Sequence, residues 1–147
     1  MPVLQDDFDE ISSSFESLDE GDYRFRLTEI EDQSEDSELV AQLRAKQKMP
    51  ALIFKSEVVE GKRKNSIQFD YVYLTTKDGK KNKVGLGRIK AYAEAILGKE
   101  AANGKSIDTD ALVNGEFIGY IKQRTYKAPG SDEVKTSSDL KKILPVG

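Results

Sequence analysis

The chain has 147 residues, 37% of them hydrophobic and 33% charged, enough for one domain with its own core. It contains no cysteine and no histidine, which excludes disulfides, thiolate nucleophiles, Cys/His zinc sites and the usual general base near neutral pH. The net charge of −3 hides an asymmetry: residues 1–40 hold 14 Asp/Glu against Arg24 and Arg26, a balance of −12, and residues 41–147 balance at +9. Such a split points to an acidic tail beside a basic binding surface, or simply to two solvated ends.

Residues 1–20, MPVLQDDFDEISSSFESLDE, combine acids and serines with isolated Phe8, Ile11, Phe15 and Leu18. Ile11, Phe15 and Leu18 are spaced for one side of a short helix, and the composition equally suits a flexible arm that docks by a few apolar anchors. The segment lacks the apolar stretch of a secretory signal, and no apolar run in the chain is long enough to span a bilayer. Together with the absence of cysteine, this fits an intracellular protein.

Residues 21–31, GDYRFRLTEIE, alternate: Tyr23, Phe25 and Leu27 on one face, Arg24, Arg26 and Thr28 on the other. This predicts a strand with one buried face. In SEDSELVAQLRAKQKM, Ser34, Asp36 and Ser37 are good N-cap types, Arg44, Lys46 and Lys48 gather at the end, and Leu39, Val40 and Leu43 form a narrow apolar stripe. A short helix ending before Pro50 is expected.

PALIFKSEVVEG (50–61) reads as the second strand, EGKRKN as a polar turn and NSIQFDYVYLTT (65–76) as the third strand of a hairpin. On the third strand Ile67, Phe69, Tyr71 and Tyr73 share one face and Gln68, Asp70, Val72 and Leu74 the other. Burying a phenylalanine stabilises by roughly 1.5–3 kcal/mol, so the aromatic face is expected to enter the core, with Tyr73 emerging at its rim. A β-bulge would swap the faces of Tyr71 and Tyr73.

KDGKKNK (77–83) is a lysine-rich loop, and VGLGRIKAYAEAILG an amphipathic helix presenting Ile89, Tyr92, Ala93, Ile96 and Leu97, with Gly98 as its stop. KEAANGKSIDTDALVNG is expected to be a loop in which Asp108 and Asp110 serve as turn-formers or an N-cap rather than metal ligands. EFIGYIKQRTYKAP (116–129) is the fourth strand, with Phe117, Gly119 and Ile121 on one face and Ile118, Tyr120, Lys122, Arg124 and Tyr126 on the other. EVKTSSDLKKILPVG supplies a weak fifth. Five strands with a helix between the third and fourth is the order of an OB-fold barrel. The expected architecture is therefore mainly β: a five-stranded OB-fold-like barrel over residues 21–147, an extra short helix after the first strand, and an acidic arm over residues 1–20.

No catalytic constellation is visible. GLGR (85–88) lacks both the dinucleotide-binding glycine spacing and the P-loop lysine pattern. A carboxylate-only enzyme would show itself by metal dependence, and no cofactor or metal is expected. The chemistry suggested instead is that of a single-strand binder: a basic groove for the backbone and aromatic faces for the bases. Basic candidates are Arg24, Arg26, Lys55, the turn Lys62, Arg63 and Lys64, the loop Lys80, Lys81 and Lys83 with Lys77, and Lys122, Arg124 and Lys127. Each alone is an ordinary solubilising charge. What distinguishes them is their position, on strand faces opposite apolar faces and on connections that an OB-fold uses to hold its ligand. The stacking candidates are Tyr120 and Tyr126, interleaved with Lys122 and Arg124, together with Tyr73. The plain alternative is an amphipathic outer face with tyrosines packed under lysine stems.

Three stretches carry a likeness: LDEGDYRFRLTEIE, the hairpin with FDYVYLTT, and GRIKAYAEAILG continued by IDTDALVNGEFIGYIKQRTY. A glycine-led first strand, a helix ending in Leu-Gly, and L-x-N-G leading into a basic strand resemble a family of bacteriophage proteins, long catalogued as of unknown function, that look like OB-fold single-stranded DNA-binding proteins. The resemblance covers roughly residues 18–145 and is strongest over 86–126. The SELVAQLRAKQK insertion is longer than that layout leads one to expect. The C-terminus DLKKILPVG is not acidic, whereas many single-stranded DNA-binding proteins carry a partner-recruiting acidic tail there.

The resemblance implies a sequence-independent single-stranded DNA-binding protein of phage replication or recombination, acting in the bacterial host cytoplasm. Replication or recombination proteins are then expected partners of the acidic N-terminal arm. The last strand either closes the barrel or exchanges with a neighbour in a homo-oligomer. The competing expectation is a small β-barrel interaction or accessory module whose basic face binds an acidic protein.

Overall fold

The computed structural model describes residues 17–102, 106–127, 130, 132 and 134–147. Five strands form one antiparallel sheet: β1 (Gly21–Asp32), β2 (Leu52–Val58), β3 (Ile67–Val72), β4 (Glu116–Lys127) and β5 (Val134–Leu144), in the order β3-β2-β1-β4-β5. Between β1 and β2 lie a 3₁₀ turn (Gln33–Glu35) and α1 (Ser37–Ala45). Between β3 and β4 lie α2 (Lys83–Leu97), α3 (Lys99–Ala102) and a second 3₁₀ turn (Thr109–Leu112). The short α3 and this turn fall where a plain loop was expected; the Asp108 carboxylate accepts from the Asp110 amide at 3.0 Å and caps the turn.

The expected alternation holds on β1 and β4. Phe25 and Leu27 are buried on the inner face of β1, as are Phe117, Gly119 and Ile121 on that of β4. A bulge between Leu27 and Glu29 absorbs one residue, so that Ile30 again faces inward opposite Phe54. Gly119 is required by packing: a Cβ there would lie 2.6 Å from Leu140 and 2.7 Å from the Phe25 ring. The core is aromatic at its centre. Phe25 stacks on Phe117 at 5.4 Å, Phe54 stacks on Tyr92 at 4.4 Å, and Tyr92 meets Phe117 edge-on at 5.3 Å. Leu18, which the sequence placed in the arm, is fully buried in this core; the rest of the Ile11, Phe15 and Leu18 pattern lies outside the described residues.

Both long helices start on side-chain caps. Asp36 accepts from the amides of Glu38 and Leu39, and Asn82 from those of Val84 and Gly85. Gly98, at φ 97°, ends α2.

β3 reverses the expected faces. Gln68 and Val72 are buried and Asp70 points inward, while Tyr71 is 54% and Tyr73 40% exposed and Ile67 and Phe69 are half-buried. Strand register explains the reversal. The inward residues Leu52, Phe54 and Ser56 of β2 pair with Val72, Asp70 and Gln68, and directly opposed residues share a face. The inward polar groups of β3 are satisfied. The Asp70 carboxylate accepts from the Arg88 guanidinium at 2.7 and 3.0 Å and from the Tyr92 hydroxyl at 2.8 Å. Gln68 donates to the Ser138 carbonyl at 2.9 Å and accepts from its hydroxyl at 2.8 Å.

Those same groups bring the two edge strands together. Among the described residues no backbone ladder joins β3 to β5, so the expected barrel is not closed by main-chain pairing. The edges are bridged by side chains: the Gln68–Ser138 pair, and Arg88, which also donates to the Leu140 carbonyl at 2.9 Å.

Candidate functional site

Turning the aromatic stripe outward creates the most distinctive surface of the molecule. Two adjoining cavities lie along the outer side of β3, and Tyr71 lines both. The first, about 710 Å³, is bounded by Tyr71 and Tyr73, by Gln47, Lys48 and Met49 after α1, and by Thr75, Thr76, Lys77 and Asn82 before α2. The second, about 390 Å³, is bounded by Phe69 and Tyr71, by Arg124 and Tyr126 of β4, and by Thr136 and Ser137 of β5. The result is a groove with an aromatic floor, walled at one end by the β1–β2 connection and at the other by the β4–β5 hairpin.

Local sequence explains the positions. The turn Gly61–Asn65 reverses the chain into β3, with Gly61 at φ 85° and Asn65 at φ 75°. Beyond β3 the chain folds over itself through the Thr75–Lys81 bridge and enters α2 at Asn82. Gly85 permits the close approach of that helix to Tyr73: a Cβ would lie 1.8 Å from the Tyr73 carbonyl oxygen. Tyr73 is thus held at the groove wall by backbone contact.

The predicted basic residues divide into groups. Arg24, Arg26 and Lys55 lie on the outer face of β1 and β2, each matched by acids: Arg24 to Glu116 at 2.7 Å, Arg26 to Glu57 at 3.4 Å, Lys55 to Glu29 at 3.2 Å and Glu31 at 3.5 Å. Three cations facing four carboxylates make a balanced surface rather than a basic one. The Glu29 hydrogen bond, with the charges of Glu29 and Glu31, raises the Lys55 pKa despite partial desolvation. Lys55 nevertheless stands directly across from Phe69, at the edge of the aromatic stripe.

Arg124 and Tyr126 lie in the groove itself. The Arg124 guanidinium sits 5.8 Å from the Tyr126 ring centroid and pairs with Asp139 at 3.1 Å. Lys80 and Lys81 are exposed on the loop that crosses from β3 to α2, Lys83 at the first position of α2, and Lys62 and Lys64 on the β2–β3 turn. Arg63 of that turn is half-buried, and both its terminal nitrogens donate to the Ser17 carbonyl at 3.2 Å. Tyr120 and Lys122 share the outer face of β4 with Arg124 but line neither cavity. Tyr73 and Tyr126 are therefore brought together with the groove, and Tyr120 is not.

Sequence reasoning missed the outward turn of Phe69 and Tyr71, and Lys48 and Asn82 as wall residues; Lys77, a basic candidate of the loop, lines the first cavity. The one available signal for β3 was the pair of polar residues, Gln68 and Asp70, alternating with the aromatics. Read as a buried network rather than as a solvated face, it inverts the strand.

Two phenols away from the groove have raised pKa values. Burial, reinforced by the nearby Asp70 charge, pushes the Tyr92 phenol well above its ordinary value. Burial and then Asp19 raise that of Tyr23, whose hydroxyl donates to the Asp19 carbonyl at 2.7 Å. Among the described residues no group of acids could hold a metal ion, and no helix is long and apolar enough to cross a membrane. Comparison with protein-family models, with curated proteins and with solved structures finds no match.

Proposed function

We propose that this protein binds single-stranded DNA without sequence preference, through an OB-fold, in phage replication or recombination. The observation that carries the reading is the outward stripe of β3, with Tyr71 shared by two cavities that the β1–β2 connection and the β4–β5 hairpin enclose. An OB-fold grips oligonucleotides on the face of its second and third strands, between these two connections. The strand order, the helix between β3 and β4 and the side-chain seam between β3 and β5 support the same fold. The resemblance noted in the sequence agrees with it.

The mechanism follows from the chemistry of the groove. Bases stack on Tyr71, Tyr73 and Tyr126, which tolerate any sequence because every base has a π-face. Lys48, Lys77 and Arg124 within the groove, with Lys80, Lys81 and Lys83 at its rim, neutralise phosphates. The protein acts by coating the strand, not by catalysing a reaction on it.

The test is fluorescence anisotropy of labelled oligo-dT at several salt concentrations, against a duplex of equal length. Preference for the single strand is expected, with log K falling linearly in log salt by about 0.7 per phosphate engaged. Tyr71→Ala should weaken binding by about 5- to 150-fold, the equivalent of one lost stacking contact of about 1–3 kcal/mol. No binding at low salt would overturn the proposal, and pull-downs for an acidic protein partner would then be the next experiment.

A further inference from the structure

We infer that residues 1–16 of this chain dock in the groove over Tyr71 and shield it until a stronger ligand displaces them. The docking stands on geometry and charge alone; the competition with nucleic acid rests on the function proposed above.

The point of attachment is the first observation. Ser17 is itself a wall residue of the second cavity, beside Phe69, Tyr71, Arg124 and Tyr126. It is fixed from two sides: its hydroxyl donates to the Thr136 carbonyl at 2.7 Å, and its own carbonyl accepts from Arg63. Leu18, next in the chain, is fully buried. The sixteen residues that precede Ser17 are therefore attached at a wall of the groove. A short tether makes the local concentration of a segment roughly millimolar, so even weak contacts keep it bound.

Charge is the second observation. Residues 1–16 contain five Asp/Glu and no Lys or Arg, a balance of −5, while residues 17–147 balance at +2. The first cavity is lined by Lys48 and Lys77 and by no carboxylate. The segment also carries Phe8, Ile11 and Phe15, apolar groups suited to the exposed rings of Tyr71 and Tyr73. Acid interspersed with aromatic is the chemistry that the groove would meet in an oligonucleotide: negative charge alternating with flat rings.

Reach is the third. Sixteen extended residues span roughly 50 Å. The six residues of β3 span about 20 Å, so the segment is long enough to pass along both cavities.

The absence of cysteine makes the test direct. Ser13→Cys in the full-length chain accepts a single nitroxide label, and paramagnetic broadening of amide signals then locates the segment. Broadening of Tyr71, Tyr73 and Lys77 is expected, with its loss in a variant carrying Asp6→Asn, Asp7→Asn, Asp9→Asn, Glu10→Gln and Glu16→Gln. Broadening confined to the neighbourhood of Ser17 would overturn the inference. Broadening of equal strength between spin-labelled chains and separate isotope-labelled chains would assign the occupant to a second copy, and would overturn it too.

Oligo-dT anisotropy on the same full-length proteins separates this inference from the proposed function. The charge-neutralised variant should bind about tenfold tighter at low salt, as for a groove that is covered nine-tenths of the time. Oligo-dT bound by neither protein, with broadening intact, would refute the nucleic-acid reading and leave the docking standing. Equal oligo-dT affinity without broadening would refute the docking alone.

Discussion

Replacing Asp70 with alanine removes the acceptor for three hydrogen bonds, two from Arg88 and one from Tyr92. Breaking a buried ion pair by deleting one partner typically costs about 3–5 kcal/mol, because the other charge is left uncompensated. Here the side chains are 13% exposed at Asp70 and 27% at Arg88, and Arg88 keeps the Leu140 carbonyl, so water and a second acceptor relieve part of that cost. We therefore expect Asp70→Ala to lower stability by about 2–4 kcal/mol. The adjacent Tyr71→Ser removes a ring that is already 54% exposed, and should cost less than about 1 kcal/mol. Urea unfolding followed by far-UV circular dichroism measures both at neutral pH. Two neighbouring residues are thus expected to differ, Asp70 in stability and Tyr71 in the proposed binding. If Tyr71→Ser proved the more destabilising, the aromatic face would be the inner one and the reasoning on β3 would be refuted.

Two glycines in α2 should respond to alanine with opposite signs. At Gly87 an added Cβ would meet nothing within 4 Å, so Gly87→Ala should stabilise by up to about 1 kcal/mol through helix propensity. Gly85→Ala drives a methyl into the Tyr73 backbone, and should destabilise by about 1–3 kcal/mol while weakening oligo-dT binding through displacement of Tyr73. Thermal melts of the two variants decide this, and a common sign would contradict it. Alkaline pH provides another check, because Tyr92, Tyr23 and Lys55 all have raised pKa values relative to 10.0 for tyrosine and 10.5 for lysine. Their contribution is fully present below those ordinary values and is lost as pH rises through the folded ones. Stability should fall above about pH 10 by about 1.4 kcal/mol per pH unit for each proton that only the folded state retains. Tyr92→Phe should flatten that decline in urea titrations between pH 9 and 11; an unchanged slope would contradict the assignment. Doubling the ionic strength should leave the Arg24–Glu116 and Arg26–Glu57 surface without measurable effect on stability, since exposed pairs are worth about 0–1 kcal/mol, and chemical denaturation at two salt concentrations tests this.

Local signals were read well from the sequence. The alternation of β1 and β4, the Asp36 cap, the Gly98 stop and the break before Pro50 all depend on neighbours within a few residues. The inner face of β3 did not yield to the same reading, because it is decided by distant partners. Register with β2 sets Asp70 opposite Phe54, and the groups that satisfy Asp70 arrive 18 and 22 residues later on α2. A hydrophobicity rule applied to IQFDYVY alone chooses the aromatic face, and a buried network overrides it. The candidate groove was legible only in some of its residues. Tyr73, Arg124 and Tyr126 border the groove, whereas Arg24, Arg26 and Lys55 meet carboxylates contributed by other strands. Lys48 and Gln47 join the groove only because the chain leaving α1 crosses beside β3, which no local pattern announces.

The central claim is that the outward face of β3 carries a single strand of nucleic acid. It is tested most directly by photocrosslinking an oligonucleotide substituted with 5-iodouracil to the full-length protein and mapping the attached residues by mass spectrometry. Crosslinks at Tyr71, Tyr73 or Tyr126 are expected. Crosslinks at Tyr120, outside the groove on β4, or none under conditions where a known single-strand binder reacts, would contradict the account.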